Sequence, residues 1–215
     1  MSAEPYSRQT STHLRADLEL DTLAWDKQGG LLPAIVQDAT TRRVLMLGYM
    51  DRAALQATLD SGRATFYSRS RQRLWTKGES SNHVLDVVAI EADCDHDTLL
   101  LQARPAGPTC HLQRTSCFAA APADTLAELD AVIAQRERQR PEGSYTARLF
   151  DAGVRAIAQK VGEEAVETAL AAVSQDDAAL LDEAADLVFH LQMLLRARGL
   201  SFLDAAAVLE QRRMR

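Results

Sequence analysis

Thr98-Leu99-Leu100-Leu101-Gln102-Ala103, and beyond it Ala119-Ala120-Ala121-Pro122-Ala123-Asp124 leading into Thr125-Leu126-Ala127-Glu128, is the passage that decides the fold. Upstream of Ala119 the apolar runs are short, β-leaning and bounded by turn residues. Downstream the β signals vanish and apolar residues recur at helical spacing, beginning with Leu126, Leu129, Val132 and Ile133. The sequence therefore predicts an α+β N-terminal domain with a largely antiparallel sheet, followed by an all-α C-terminal domain. Residues 1–20 are expected as a tail, 21–118 as the first domain, 119–124 as a linker and 125–215 as the second domain. Within the first domain, Leu31 to Val36 and Val44 to Met50 read as a hairpin. Asp51 caps a helix that stops at Ser61-Gly62, and Thr65 to Ser68, His83 to Cys94 and Thr98 to Ala103 read as strands. Arg69 to His83 reads as a loop. In the second domain helices are expected from Thr125, with a Thr125-x-x-Glu128 capping box, then over about 146–173, 178–198 and 202–212.

Composition bounds the function. The chain has 215 residues, 47% apolar and 25% charged, with a net charge of -6. No basic tract marks a nucleic-acid groove, and no apolar run approaches the roughly 18 residues of a membrane span. The first twelve residues are polar and lack the apolar core of a signal peptide, so a cytoplasmic protein is expected. In a reducing compartment, three cysteines read better as thiolate ligands than as disulfides.

All three cysteines fall in or near one polar constellation: Asp93-Cys94-Asp95-His96-Asp97, then Cys110-His111 and Cys117. Read as an extended strand, the first segment puts Asp93, Asp95 and Asp97 on one face and Cys94 and His96 on the other. Carboxylates suit Mg²⁺ and thiolates suit Zn²⁺. The run is not an EF-hand, because Thr98 and Arg104 stand where that loop needs Gly and Glu. The same residues also permit buried cysteines beside a solvated aspartate turn.

Trp75-Thr76-Lys77-Gly78-Glu79-Ser80-Ser81, Asp93-Cys94-Asp95-x-Asp97, Gly107-Pro108-Thr109-Cys110-His111 and Ser116-Cys117-Phe118 together resemble phosphoribosyl-AMP cyclohydrolase, from about Leu23 to Phe118. Asn82 departs from the glycine expected there. The resemblance implies opening of the adenine ring by zinc-activated water. Cys94, Cys110 and Cys117 would hold Zn²⁺, shared across a dimer interface, and Asp93, Asp95 and Asp97 would hold Mg²⁺. His111 is the candidate for proton transfer, with His83 second. Trp75, Lys77, Glu79 and Ser81 would bind substrate, and Lys77 and the Arg69–Arg73 segment are candidate phosphate contacts.

Lys160-Val161-Gly162-Glu163-Glu164-x-x-Glu167 is answered by Glu183-x-x-Asp186. Carboxylates three apart share a helix face and repel one another. At about 100° per residue, Glu183 lies about 40° from Leu187, and Glu164 borders the arc of Phe150, Ile157 and Val161. The carboxylates thus edge an apolar seam, where a hard cation would relieve them. With Ser144-Tyr145-Thr146 and Asp186-Leu187-x-Phe189-His190, the stretch from about Thr125 to Arg213 resembles phosphoribosyl-ATP pyrophosphatase, with Phe189 where Tyr is expected. The resemblance implies Mg²⁺ held by Glu163, Glu164, Glu167, Glu183 and Asp186. Lys160 would contact a phosphate or pair with Glu164, and one carboxylate, Glu164 among them, would serve in catalysis.

The first implied substrate, phosphoribosyl-ATP, yields the second, phosphoribosyl-AMP, so the halves fit consecutive steps of histidine biosynthesis. Exposed apolar helix stripes suggest a homodimer. Two rival readings use the same residues: a pyrophosphohydrolase acting on other nucleotides, or a purely structural zinc with one half serving assembly.

Overall fold

The computed structural model describes Leu18 to Met214, so the expected tail lies outside the described residues except for its end. Leu18 and Leu20, at that end, pack on the first core, and Leu20 O accepts a hydrogen bond from Trp25 Nε1 at 2.8 Å. The chain divides between Ala123 and Asp124 into two compact units.

In the first unit, strands β1 (Leu32–Asp38), β2 (Val44–Met50), β5 (Leu85–Ala92) and β6 (Leu99–Pro105) form one sheet in the order β2-β1-β6-β5. Alternation along β1 sends Leu32, Ala34 and Val36 inward. In β5 a bulge between Val87 and Ala89 shifts the alternation, so Leu85 and Val87 face the core before it and Ile90 after it. The pairings are antiparallel as expected, except β1 with β6, which is parallel. Helix α1 (Arg52–Ser61) is capped by Asp51, whose Oδ1 accepts from Ala54 N–H at 2.7 Å.

Two expectations are corrected here. The expected loop after Arg69 contains a strand, β4 (Arg73–Thr76), which pairs antiparallel with β3 (Thr65–Ser68). Its apolar signal is only Leu74 and Trp75, too short for a periodicity to register. The pairing sets Trp75 opposite Phe66, ring centroids 5.2 Å apart, and such aromatic pairs stabilise a ribbon by up to about 1 kcal/mol. The second correction concerns Asp93 to Asp97. Strand β5 ends at Ala92, and the aspartates occupy a turn in which His96 takes φ 61°.

The second unit is helical: α2 (Thr125–Gln139), α3 (Tyr145–Ala152), α4 (Val154–Ser174), α5 (Asp177–Ala197) and α6 (Phe202–Arg213). Ile133, Phe150, Ile157 and Met193 form its core. Asp124, not Thr125, caps α2, accepting from Leu126 N–H and Ala127 N–H. The long helix expected over 146–173 is broken at Gly153, whose φ 85°, ψ 175° is open essentially to glycine alone. The apolar period of α3 and α4 is continuous enough to hide that break.

Gly153→Ala should therefore destabilise the helical unit by about 1–3 kcal/mol. In chemical denaturation the 222-nm helix signal should shift to lower denaturant. The fluorescence of Trp25 and Trp75, which both lie in the first unit, should shift little.

Candidate active sites

In the first unit, the loop after β6 turns at Gln113 (φ 59°) and is stitched to β2. Ser116 Oγ donates to Val44 O at 2.7 Å, and Cys117 N–H donates to Leu45 O at 2.8 Å. This docking places Cys110 and Cys117 in a cleft of about 450 Å³ whose wall also includes Trp75, Lys77, His83 and His111. His83 is wedged there because Gly107 lacks a side chain: a Cβ at that position would stand 2.6 Å from the imidazole. Asn82 just before it adopts φ 58°, the left-handed conformation that Asn tolerates better than most residues.

The two thiols are not equivalent. A hydrogen bond from the Leu112 backbone, supported by Arg114 and by Cys117 as donor, holds the Cys110 thiol below its ordinary pKa. Burial, then the neighbouring Cys110 charge, raises Cys117. The pair thus offers one sulfur that loses its proton more easily than an ordinary thiol and a second beside it, a donor set suited to a soft ion. His111 Nδ1 lies 4.0 Å from Cys110 Sγ. Cys94 is exposed and does not join these two in any metal-sized cluster among the described residues. Of the four expected substrate-binding residues, Trp75, Lys77 and Ser81 line the thiol cleft. All four line an adjoining one of about 420 Å³. Glu79 there accepts from Arg73 Nη2 at 3.2 Å and from Thr76 N–H at 3.3 Å.

Asp93, Asp95 and Asp97 do converge, with one oxygen from each within 4.8 Å of the others. They do so through the turn, not through strand alternation. Asp93 Oδ1 accepts from Asp97 N–H and Thr98 N–H. Lys27 reaches across to Asp95 Oδ2 at 2.6 Å and Asp97 Oδ2 at 3.4 Å. No sequence signal pointed to Lys27, which lies 68 positions from Asp95.

In the second unit α4 and α5 pack together, and Glu164, Glu167 and Glu183 bring carboxylate oxygens within 4.8 Å of one another. The apolar seam expected from the helical wheel is real, since Glu164 is only 4% exposed beside Ile157. Lys160 Nζ bonds Glu163 Oε2 at 2.9 Å and Glu164 Oε1 at 3.0 Å. Glu163 is held by Lys160 and Gln159 instead of entering the cluster, and Asp186 also lies outside it. Lost hydration, then Glu164 and Glu183, raise the Glu167 carboxyl above its ordinary value. Like charges are thus crowded where an added cation would be stabilising. Tyr145 and His190 stand in the motifs noted above, yet nothing in their spacing disclosed their contact: Tyr145 Oη lies 2.9 Å from His190 Nε2.

Comparison with known families matches residues 46–119 to phosphoribosyl-AMP cyclohydrolase. Residues 126–213 match phosphoribosyl-ATP pyrophosphohydrolase. The histidine biosynthesis bifunctional protein HisIE of Xylella fastidiosa (strain Temecula1) is 68% identical over 197 residues, covering 92% of this chain and 96% of that protein. The protein of the same name from Xanthomonas axonopodis pv. citri is 67% identical over 193 residues, covering 90% and 94%. That of Escherichia coli is 52% identical over 199 residues, covering 90% and 95%.

The crowding at Glu167 is directly testable. In chelator, Glu167→Gln should stabilise the helical unit slightly, because it removes like-charge repulsion between the carboxylates. The melting temperature should rise; a fall would mean that the carboxylates do not repel as placed.

Proposed function

The chain belongs to the family of bifunctional histidine-biosynthesis proteins that join a phosphoribosyl-AMP cyclohydrolase to a phosphoribosyl-ATP pyrophosphohydrolase, and we propose from its geometry how each half works. The helical half hydrolyses phosphoribosyl-ATP to phosphoribosyl-AMP and pyrophosphate. The α+β half then opens the adenine ring of phosphoribosyl-AMP at N1–C6. Chain order is the reverse of reaction order.

The observation that carries the assignment of sites is that each matched segment contains its own metal-suited donor set. One is the thiol pair in its cleft, and the other is the carboxylate cluster between two helices. In the α+β half Cys110 and Cys117 would hold Zn²⁺ together with Cys94 of a second copy, because the single chain leaves Cys94 apart. Zinc, when bound, supplies a water acidified to a pKa of about 7. Trp75 offers a flat face to the purine, Lys77 and Ser81 bind phosphate or ribose oxygens, and Arg69 to Arg73 extend that basic wall. His111, an exposed residue at the cleft, delivers the proton that N1 takes up as the N1–C6 bond breaks and hydroxide becomes the oxygen on C6. Asp93, Asp95 and Asp97 would hold Mg²⁺ beside the substrate phosphate.

In the helical half Glu164, Glu167 and Glu183 would hold Mg²⁺, with Asp186 and Glu163 at the margin. Magnesium, when bound, neutralises the phosphate chain for in-line attack by water. Lys160, released from Glu164, is placed one turn away to take a phosphate oxygen. We further propose a cytoplasmic homodimer. The support is the apolar side chains that α4 and α5 leave exposed: Val166, Leu170, Val173 and Leu181 are 53–82% exposed, and exposed apolar surface of this kind marks contact sites when it is contiguous. Among the described residues no helix is long and apolar enough to cross a membrane.

Product mass spectrometry from phosphoribosyl-ATP tests the whole reading, with loss of diphosphate and then gain of one water expected. Cys110→Ser should reduce ring opening more than about 100-fold, since even outer-shell losses cost 10–100-fold, and should leave pyrophosphate release intact. Glu164→Gln should do the converse, sparing the opening of supplied phosphoribosyl-AMP. Retention of both activities in either variant would overturn that site. Val173→Glu should convert the dimer to monomers in sedimentation; an unchanged dimer would place the interface elsewhere.

A further inference from the structure

We propose that the cleft adjoining the thiol cleft is the subsite for the ribose 5′-phosphate of the substrate's AMP moiety, and that Arg71 is the residue that binds this phosphate. The inference rests on the reading of the Cys110–Cys117 cleft as the place where the purine ring opens.

The two clefts, of about 450 and 420 Å³, share Trp75, Lys77, Ser80 and Ser81 as a common wall. The first contains both thiols and the second contains Arg71. A tight turn fixes one against the other. Glu79 N–H donates to Thr76 O at 3.0 Å, and Asn82 N–H donates to Gly78 O at 2.9 Å. Gly78 takes φ 87°, and a Cβ there would stand 2.5 Å from Val84 N and 2.6 Å from the His83 carbonyl carbon. That close approach presses the lining of the second cleft onto the segment that carries His83 into the first. The substrate has a matching shape. Phosphoribosyl-AMP bears two ribose phosphates, and the one of its AMP moiety is attached at N9. C6 and N9 belong to different rings of the purine. A purine lying on Trp75 with C6 towards the sulfurs therefore turns N9 away from them, along the shared wall and into the second cleft.

Charge then selects the residue. The β3–β4 ribbon carries three arginines, and two are already engaged. Arg69 lies over the Tyr49 ring, 3.9 Å from its centroid. Arg73 is held by Glu79 Oε1 at 3.2 Å and by the Leu74 carbonyl at 3.1 Å. Glu79 is the one acidic residue lining the second cleft among the described residues, and Arg73 offsets its charge. Arg71 is the one arginine of the three that lines this cleft. Its backbone is fixed by a hydrogen bond from its N–H to Ser68 Oγ at 3.2 Å. Its guanidinium meets no carboxylate among the described residues, so it faces the cleft with its donors available. A guanidinium offers a phosphate two parallel N–H donors, a fit that an ammonium lacks.

Two measurements on the full chain test this. The first is binding of AMP and of adenosine in chelator, followed by tryptophan fluorescence, which reports on the first unit because Trp25 and Trp75 both lie there. Arg71→Gln should weaken AMP binding about 10-fold, the scale of a hydrogen bond to a charged group. Adenosine, which lacks the phosphate, should bind both proteins alike. Arg71→Lys, which keeps the charge and loses the fork, should recover part of the loss. The second measurement is ring opening with zinc and magnesium present, where Arg71→Gln should raise KM for phosphoribosyl-AMP about 10-fold and change kcat less than about 2-fold. If Arg71→Gln leaves both AMP binding and KM unchanged, the assignment of Arg71 is wrong. If KM rises while AMP binding is unchanged, Arg71 holds the other ribose phosphate and the assignment of the cleft to the AMP moiety is overturned. If Cys110→Ser opens the ring like the wild type, the reading of the thiol cleft falls and takes this inference with it.

Discussion

Strand β6 is hydrogen-bonded on both sides, in parallel to β1 and antiparallel to β5, and this double pairing keeps Leu99 to Pro105 extended. Seven extended residues span about 20 Å. The loop bearing Cys94 and the aspartates enters β6 at one end, and the loop bearing Cys110 and Cys117 leaves from the other. The strand thus acts as a spacer between two sets of ligands. The aspartates can cluster, because they share one turn. Cys110 and Cys117 can pair, because they share one loop stitched to β2. Cys94 stands outside any metal-sized cluster with the other two cysteines among the described residues, which is why the zinc reading calls on a second copy.

The helical half works under a different constraint. Its chemistry sits at the edge of an apolar seam, so the same packing that buries Ile157 also dehydrates Glu164. Three carboxylates then face one another, one of them buried and the others reaching towards solvent. A protein contact offsets part of this: Lys160, from α4 itself. What remains is a negative site on a rigid pair of helices, a suitable cradle for a hard ion and the polyphosphate it accompanies.

Much of this was legible in the residues because periodicity reports burial. The switch from period 2 to period 3.6 after Ala119 marked the two folds, and the helical wheel placed Glu164 beside Ile157. What escaped notice had no periodic trace. Strand β4 offers only Leu74 and Trp75, and its existence depends on Phe66 across the ribbon. Gly153 interrupts a helix whose apolar pattern runs on. The turn at Asp93 to Asp97 gathers carboxylates that an extended reading had also gathered, but for a different geometric reason. Long-range contacts such as Lys27 with Asp95, or Tyr145 with His190, depend on tertiary packing alone.

Lys27 at the aspartate turn and Lys160 at Glu164 have a common consequence. Each is a competitor tied to the protein it competes for, at an effective concentration that no dilution lowers. An ion entering either cluster would not fill a vacant charge but would exchange with an ammonium, gaining one unit of charge there, not two. Occupancy would then follow a local equilibrium between side chain and ion, and the displaced lysine would be left beside the ion, free to meet an anion.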